Sequence, residues 1–441
     1  MSNHENIIEK NNYDVIVVGT GAAGATVARE MARRKKKVLM LEWGKNRPPL
    51  NLFICAIEAG LIPFKSFLIT PQLLGMIRGI VTGGSTMFYY GTAYPVQIDM
   101  FKKRGIDLTD EAAELKKDLP FVGPLQDHMI TSKAKSIWES AQSLGYNNWS
   151  KLDKYIIQDR WTPDYEYGFW GDPRDIKWSA LMWVRDAMKD GAILLTQAKV
   201  KRVILESKKA VGVEFKMGGK MLKAYAPKIV LAAGGIGTPV ILRATGIKGV
   251  GHNFFFDPLI TVCGENKHLN KENEIPMSTG MNSHEEGLLY TDMDIGGWWV
   301  ENMFALEKLR LDQLFKGKHT QRIMIKLRDT LGGRLTDSGQ VLKMLSEKDR
   351  KRLDHGGQVA RKILEHAGCK SIYRTWYFAA HPGGTVKLGE FVDSNLKTQY
   401  DNLYVSDTSV IPEAWGLPPV HTVLALGKYL SKHLAGESKK N

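Results

Sequence analysis

Hydrophobic and polar positions alternate along this chain in two periods, and the change from one to the other marks its first elements. Tyr13 to Val18 (YDVIVV) is a short continuous apolar run of the kind a buried strand needs. Ala22 to Arg33 follows with helical composition, and Lys37 to Glu42 (KVLMLE) is a second buried-strand run, so the start of the chain predicts a βαβ unit. From Thr196 to Phe215 the pattern predicts two strands joined at Ser207 to Lys209. Lys228 to Ala233 (KIVLAA) predicts another buried strand, closed by Gly234 and Gly235 and followed by a short helix over Thr238 to Thr245. Ser346 to Ala367 carries Leu353, Val359, Ile363 and Leu364 at helical spacing among charges, the mark of an amphipathic surface helix.

The glycines give the first unit a chemical meaning. Gly19, Gly21 and Gly24 have GxGxxG spacing directly after one strand, with Ala22 opening the helix. The first glycine permits the tight turn, the second lets a pyrophosphate approach the backbone, and the third allows close helix packing. Glu42 ends the next strand, where a carboxylate can accept hydrogen bonds from an adenosine ribose. A bound dinucleotide is expected, and FAD and NAD share the half that this motif reads.

Composition narrows the class. The 441 residues are 43% hydrophobic and 24% charged, which excludes wholesale disorder, and the length suits two to four domains. The net charge of 61 − 47 = +14 permits attraction to anionic surfaces, but the basic residues are dispersed and a solvated face is the plainer reading. Three cysteines, Cys55, Cys263 and Cys369, are too far apart for a CxxC motif, and no metal site is expected. The polar first eleven residues do not resemble a secretory signal. Leu50 to Val81 is greasy but broken by Glu58, Lys65, Arg78, two prolines and three glycines, so it is expected to form a lid or a lipid-facing surface and not to span a bilayer. A cytoplasmic location is therefore expected, with membrane association left open.

A resemblance settles which dinucleotide is expected. The segment RGIVTGGSTMFYYGTAY at Arg78 to Tyr94 is similar to the flavin-contacting GG[ST] signature of the glucose-methanol-choline oxidoreductases. IVLAAGGIGTPVILRATGI at Ile229 to Ile247, VGHNFFFDP at Val250 to Pro258, HPGGTVKLG at His381 to Gly389 and DNLYVSDTSVIP at Asp401 to Pro412 resemble further blocks of that family, in family order. The resemblance implies an α/β protein: a Rossmann-like FAD-binding domain with an interleaved α+β substrate domain containing an antiparallel sheet. It places residues 1–100, 191–262 and 376–441 in the first domain, and 101–190 and 263–375 in the second. It implies non-covalent FAD, held by Gly19, Gly21, Ala22, Gly24, Glu42, Gly83, Gly84, Ser85, Thr86, Val200, Ala233, Gly234, Asp407, Thr408 and Pro419.

The activity so implied is oxidation of a CH–OH group of a small-molecule alcohol, with His381 taking the hydroxyl proton as hydride leaves for flavin N5. The family's second Asn or His is missing: Pro418 or Pro419 stands there, with His421 two or three residues later, and Tyr89 and Tyr90 follow the GG[ST] turn. His421 or a tyrosine is the expected partner at the substrate. Two alternatives stay open, a flavin-bearing lyase of this fold without net redox turnover, and an electron-transfer subunit docking to a membrane or another chain. The electron acceptor is left open among oxygen, a quinone and a protein, and no nucleic-acid partner is expected.

Overall fold

A computed structural model describes residues 12–47, 53–165, 167, 171–269, 272–293 and 298–437. The first expected unit forms as a strand Val15–Val18, a helix Ala22–Arg33 and a strand Val38–Leu41. Both strands are buried at every position, which is why each reads as a continuous apolar run with no alternation. They belong to a five-stranded sheet in the order Leu403–Val405, Ile229–Leu231, Val15–Val18, Val38–Leu41, Ile193–Leu195. Every neighbouring pair in it is parallel. Numbered by sequence this order is 5-4-1-2-3, so the direction of winding reverses between Val15–Val18 and Ile229–Leu231. Ligands of doubly wound sheets bind at such a reversal.

Ala22–Arg33 packs against Ala180–Lys189 and against the last helix, Val420–Ala435. Between them, Arg29 reaches Asp118 at 3.1 Å and Asp186 at 3.2 Å, while Lys428 reaches Glu30 and Asp118. The segment expected as a hairpin is the strands Lys199–Glu206 and Lys209–Met217, extended by a third strand Lys220–Tyr225.

The second body is a nine-stranded, mostly antiparallel sheet. Pro258–Glu265 and Thr320–Leu327 lie side by side at its centre, and the amphipathic helix Glu347–His366 lies across them. Gly356 and Gly357 make that close approach: a Cβ at Gly356 would lie 2.7 Å from Ile325. The strands Phe67–Ile69 and Gly75–Ile77 join this sheet beside Phe378–Ala379. The expected division put that stretch in the cofactor domain. The structure gives Leu50 to Val81 a mixed form instead, a helix Phe53–Gly60 and then this edge hairpin; residues 50–52 lie outside the described part. Residues 101–190 are divided as well, since Ser150–Lys151 pairs with the large sheet while Ala180–Lys189 packs on the nucleotide-fold helix. Among the described residues no helix is long and apolar enough to cross a membrane.

Candidate active site

Four turns converge where the parallel sheet reverses. In the first, Gly19 has φ +97°, and a Cβ there would lie 2.4 Å from the Ala232 carbonyl oxygen. A Cβ at Gly24 would lie 2.0 Å from the Gly19 carbonyl oxygen. Gly21, the residue before the helix, differs from both: φ is −67°, ψ is −173°, and a Cβ would meet nothing within 4 Å. The two outer glycines are demanded by the fold, and the middle one leaves open space at a helix N-terminus, where an anion is favoured by backbone N–H groups and the helix dipole.

Glu42 braces this turn. Its carboxylate accepts from the Thr20 amide at 3.1 Å, the Thr20 hydroxyl at 2.7 Å and the Gly44 amide at 2.6 Å. Burial pushes its pKa up and these hydrogen bonds pull it back. Thr20 in turn accepts at Oγ1 from the Gly83 amide at 3.2 Å, tying the first turn to the second. Gly83 (φ +92°) and Gly84 (φ +58°) open a short 3-10 turn, and a Cβ at Gly84 would lie 2.9 Å from Gly21 Cα. Ser85 accepts from the Gly79 amide, and Thr86 donates to the Gly83 carbonyl at 2.6 Å while accepting from the Ala180 amide. Their side chains hold the turn in shape, which leaves its backbone as the ligand-facing surface.

The third turn follows the strand Ile229–Leu231. Gly234 has φ +78°, and its amide donates to Asp407 at 2.9 Å. Asp407 also accepts from Thr238 Oγ1 at 2.6 Å and from the Ser409 amide at 2.7 Å, so a carboxyl whose pKa burial pushes up is fully engaged. The fourth turn, His381 to Thr385, sits directly on the third. A Cβ at Gly235 would lie 1.9 Å from the Pro382 carbonyl oxygen, and Thr385 and Thr408 donate to the Gly235 and Pro382 carbonyls. Pro419 precedes the last helix, and buried Val200 pairs with Phe215. A cavity of about 360 Å³ opens beyond Glu42, lined by Trp43, Gly44, Gln197 and Lys199 among others, with Lys199 Nζ 3.8 Å from the Trp43 ring centre.

His381 carries a non-glycine φ of +48° and is held by two buried ionisable side chains. Its Nδ1 lies 2.8 Å from Lys326 Nζ and 3.3 Å from Asp257 Oδ2, and Lys326 and Asp257 pair at 3.1 Å. Burial, joined by the Lys326 charge and opposed by Asp257, lowers the His381 pKa to about 4, so the ring is neutral near pH 7. Nε2 is left as the ring nitrogen available to a substrate.

His421 is elsewhere engaged: its Nδ1 meets the Tyr155 hydroxyl at 2.7 Å, in an aromatic group with Tyr89 and Trp178. Burial first, and then Lys116, lower its pKa to about 4. Tyr89 donates its hydroxyl to the Trp178 carbonyl at 2.7 Å. Burial raises the pKa of both Tyr89 and Tyr90, so both phenols are donors near neutral pH and neither is a base. Tyr90 packs against a methionine-rich apolar cluster that includes Val81, Met87, Met277, Met293 and Met324.

Sequence reasoning did not find Lys326 or Asp257 as site residues. The one available signal was a lysine in an otherwise apolar run (IMIKL), on a strand buried throughout.

Comparison with known proteins gives the family. The N-terminal sequence model of the GMC oxidoreductases matches residues 108–259 and the C-terminal one residues 340–427, together just over half of the chain. The chain belongs to the GMC oxidoreductases. This GMC oxidoreductase is 28% identical over 423 residues to an uncharacterized protein of Methanocaldococcus jannaschii, covering 94% of this chain and 98% of that one. It is 22% identical to a long-chain-alcohol oxidase of Arabidopsis thaliana, covering 96% and 68%, and 25% identical to an oxygen-dependent choline dehydrogenase of Staphylococcus haemolyticus, covering 54% and 48%. Among solved structures, pyridoxine 4-oxidase from Mesorbium loti superimposes with a TM-score of 0.74 at 15% identity, covering 97% of this chain and all of that one. The protein is an FAD-dependent oxidoreductase. The open space at Gly21, framed by glycines that the fold itself demands, fits the cofactor's pyrophosphate.

Proposed function

We propose that this GMC oxidoreductase oxidises the CH–OH group of an apolar alcohol, with His381 Nε2 accepting the hydroxyl proton. The observation that carries the reading is the neutral imidazole anchored through Nδ1 on a turn that packs against the cofactor-binding turn at Gly235. FAD supplies the hydride acceptor. The backbones at Gly21, Gly83 and Gly234 hold it, Glu42 and Asp407 keep those backbones in position, and His381 takes the proton that the departing hydride leaves behind. Pro419 contributes no hydrogen bond from its side chain, so the second polar contact to the substrate oxygen falls to another group or to water.

Two features support an apolar substrate. Met87, Met277, Met293 and Met324 form a pliable apolar cluster between the Gly83 turn and the large sheet. Outside it, Ile54, Phe64, Leu73, Leu309 and Phe315 are between 66% and 83% exposed, and the last four hold positive φ. Loop residues held in that strained region to present large apolar groups to solvent suit contact with a lipid surface, where such an alcohol would be taken up. The long-chain-alcohol oxidase among the relatives agrees with that substrate class.

Anaerobic mixing of the oxidised holoenzyme with aliphatic alcohols of increasing length tests the reading. Flavin bleaching is expected with the longer alcohols, slowed roughly 100- to 10,000-fold in His381→Ala, the range for loss of a positioned general base. Bleaching of His381→Ala at the wild-type rate would remove the base assignment. Absence of bleaching by any alcohol in the wild type would favour the lyase reading.

A further inference from the structure

The side of His381 that faces away from any substrate is unusual. Asp257, Lys326 and His381 come from three neighbouring strands of the large sheet: Asp257 precedes Pro258–Glu265, Lys326 lies on Thr320–Leu327, and His381 follows Phe378–Ala379. The side chain of Lys326 is 2% exposed and that of Asp257 fully buried. Asp257 and His381 both hold left-handed backbone, φ +45° and +48°, strain of the kind that collects at functional sites. Asp257 Oδ1 accepts from the Gly416 amide at 2.8 Å, which leaves Oδ2 for Lys326 and His381. Behind them Asp329 pairs with Lys343 at 2.7 Å and accepts from the Phe256 and Asp257 amides.

Donor and acceptor bookkeeping at Nδ1 decides what His381 can do. Lys326 Nζ is nearer to Nδ1 than Asp257 is, at 2.8 Å against 3.3 Å. An ammonium at Nζ donates to Nδ1, so the neutral ring carries its proton on Nε2 and has no lone pair there for an incoming proton. A neutral amine instead accepts Nδ1–H and frees the Nε2 lone pair. Desolvation lowers the Lys326 pKa, with the Asp257 and Asp329 charges opposing it.

We propose that Lys326 is the positioning residue and proton store of His381, so that oxidation starts from neutral Lys326 and ends with its ammonium paired to Asp257. This rests on His381 being the base. In the step, the substrate O–H bond breaks and Nε2–H forms, while Nδ1–H breaks and a third Nζ–H forms. The hydride and its electron pair pass from the substrate carbon to FAD. The ring finishes neutral with its proton on Nε2, placed to donate to the product carbonyl. After the product leaves, Nε2 loses its proton to water and Nδ1 recovers one from the ammonium, restoring the starting state with one proton released.

Two substitutions in the holoenzyme separate this relay from a structural ion pair. An arginine keeps the charge beside Asp257 but stays protonated, so Lys326→Arg locks the ring with its proton on Nε2. Its flavin reduction is expected to be more than 100-fold slower than wild type. Lys326→Met leaves Nδ1–H to Asp257 and is expected to be about 10- to 100-fold slower, with the rise of rate with pH flattened. The apolar variant should therefore outperform the charged one, whereas a merely structural ion pair requires the reverse. A second readout needs no turnover: ¹⁵N-histidine NMR of the oxidised, substrate-free holoenzyme should show His381 changing from Nε2–H to Nδ1–H as pH rises in the wild type, and staying Nδ1–H in Lys326→Met. If Lys326→Arg fails to retain FAD, the Lys326→Met tautomer and pH profile decide. A slow His381→Ala alongside a Lys326→Met that keeps the wild-type rate, pH profile and tautomer change overturns the relay and leaves the base in place. A fast His381→Ala overturns the base assignment itself.

Discussion

Replacing Gly21 by alanine should separate folding from cofactor binding within a single motif. At φ −67° and ψ −173° any residue is comfortable, and the new Cβ would meet no protein atom within 4 Å. Removing a glycine from the unfolded chain then favours the apoprotein by about 0.4 to 1 kcal/mol. FAD meets the opposite result, because the methyl occupies the space that the pyrophosphate needs. Loss of two charge-assisted hydrogen bonds at roughly 1.5 to 3 kcal/mol each weakens binding by about 3 to 6 kcal/mol, a factor of roughly 100 to 20,000. The neighbouring glycines supply the control: Gly24→Ala drives a Cβ to 2.0 Å from the Gly19 carbonyl oxygen, and should destabilise the apoprotein by more than about 3 kcal/mol. Urea unfolding of the apoproteins and fluorescence titration with FAD measure the two quantities independently. Wild-type FAD affinity in Gly21→Ala would refute the placement of the pyrophosphate, and a loss of apoprotein stability as large as that of Gly24→Ala would refute the claim that the space is open.

Other outcomes follow from the same geometry. Glu42→Gln exchanges a carboxylate that braces Thr20 and Gly44 for an amide, and should weaken FAD by about 1.5 to 3 kcal/mol in equilibrium dialysis, with the flavin absorption maxima unmoved. The protein should be yellow and release its FAD on denaturation and filtration; colour retained on the chain would show a covalent link. His381 and His421 have folded pKa values of about 4 against 6.5 unfolded, so the unfolded chain binds more protons between those limits. Stability should therefore fall as pH drops from about 6.5 to about 4, and the His421→Phe variant should show a shallower fall in Tm; identical slopes would mean that His421 does not contribute. Leu309→Ser with Phe315→Ser should abolish sedimentation with anionic vesicles at low salt, and undiminished binding would place the lipid contact elsewhere.

The local part of this protein was legible in its sequence because local physics determines it. A strand buried on both faces must be continuously apolar, and a turn that brings Gly24 to 2.0 Å from a carbonyl must be glycine, so the βαβ unit and its motif could be located at Tyr13 to Glu42. The same reasoning located the helix Glu347–His366 and the hairpin after Lys199. What His381 touches could not be read in this way. Asp257 and Lys326 are 124 and 55 residues away from it, and they meet it only because three strands are neighbours in one sheet. Nor could the segregation of His421 onto Tyr155, 266 residues earlier, or the pairing of Phe67–Ile69 and Gly75–Ile77 with the large sheet be inferred from spacing. Side-chain type and period are encoded residue by residue, whereas the proton that His381 can accept depends on which buried charge lies against its other nitrogen, and strand order alone decides that.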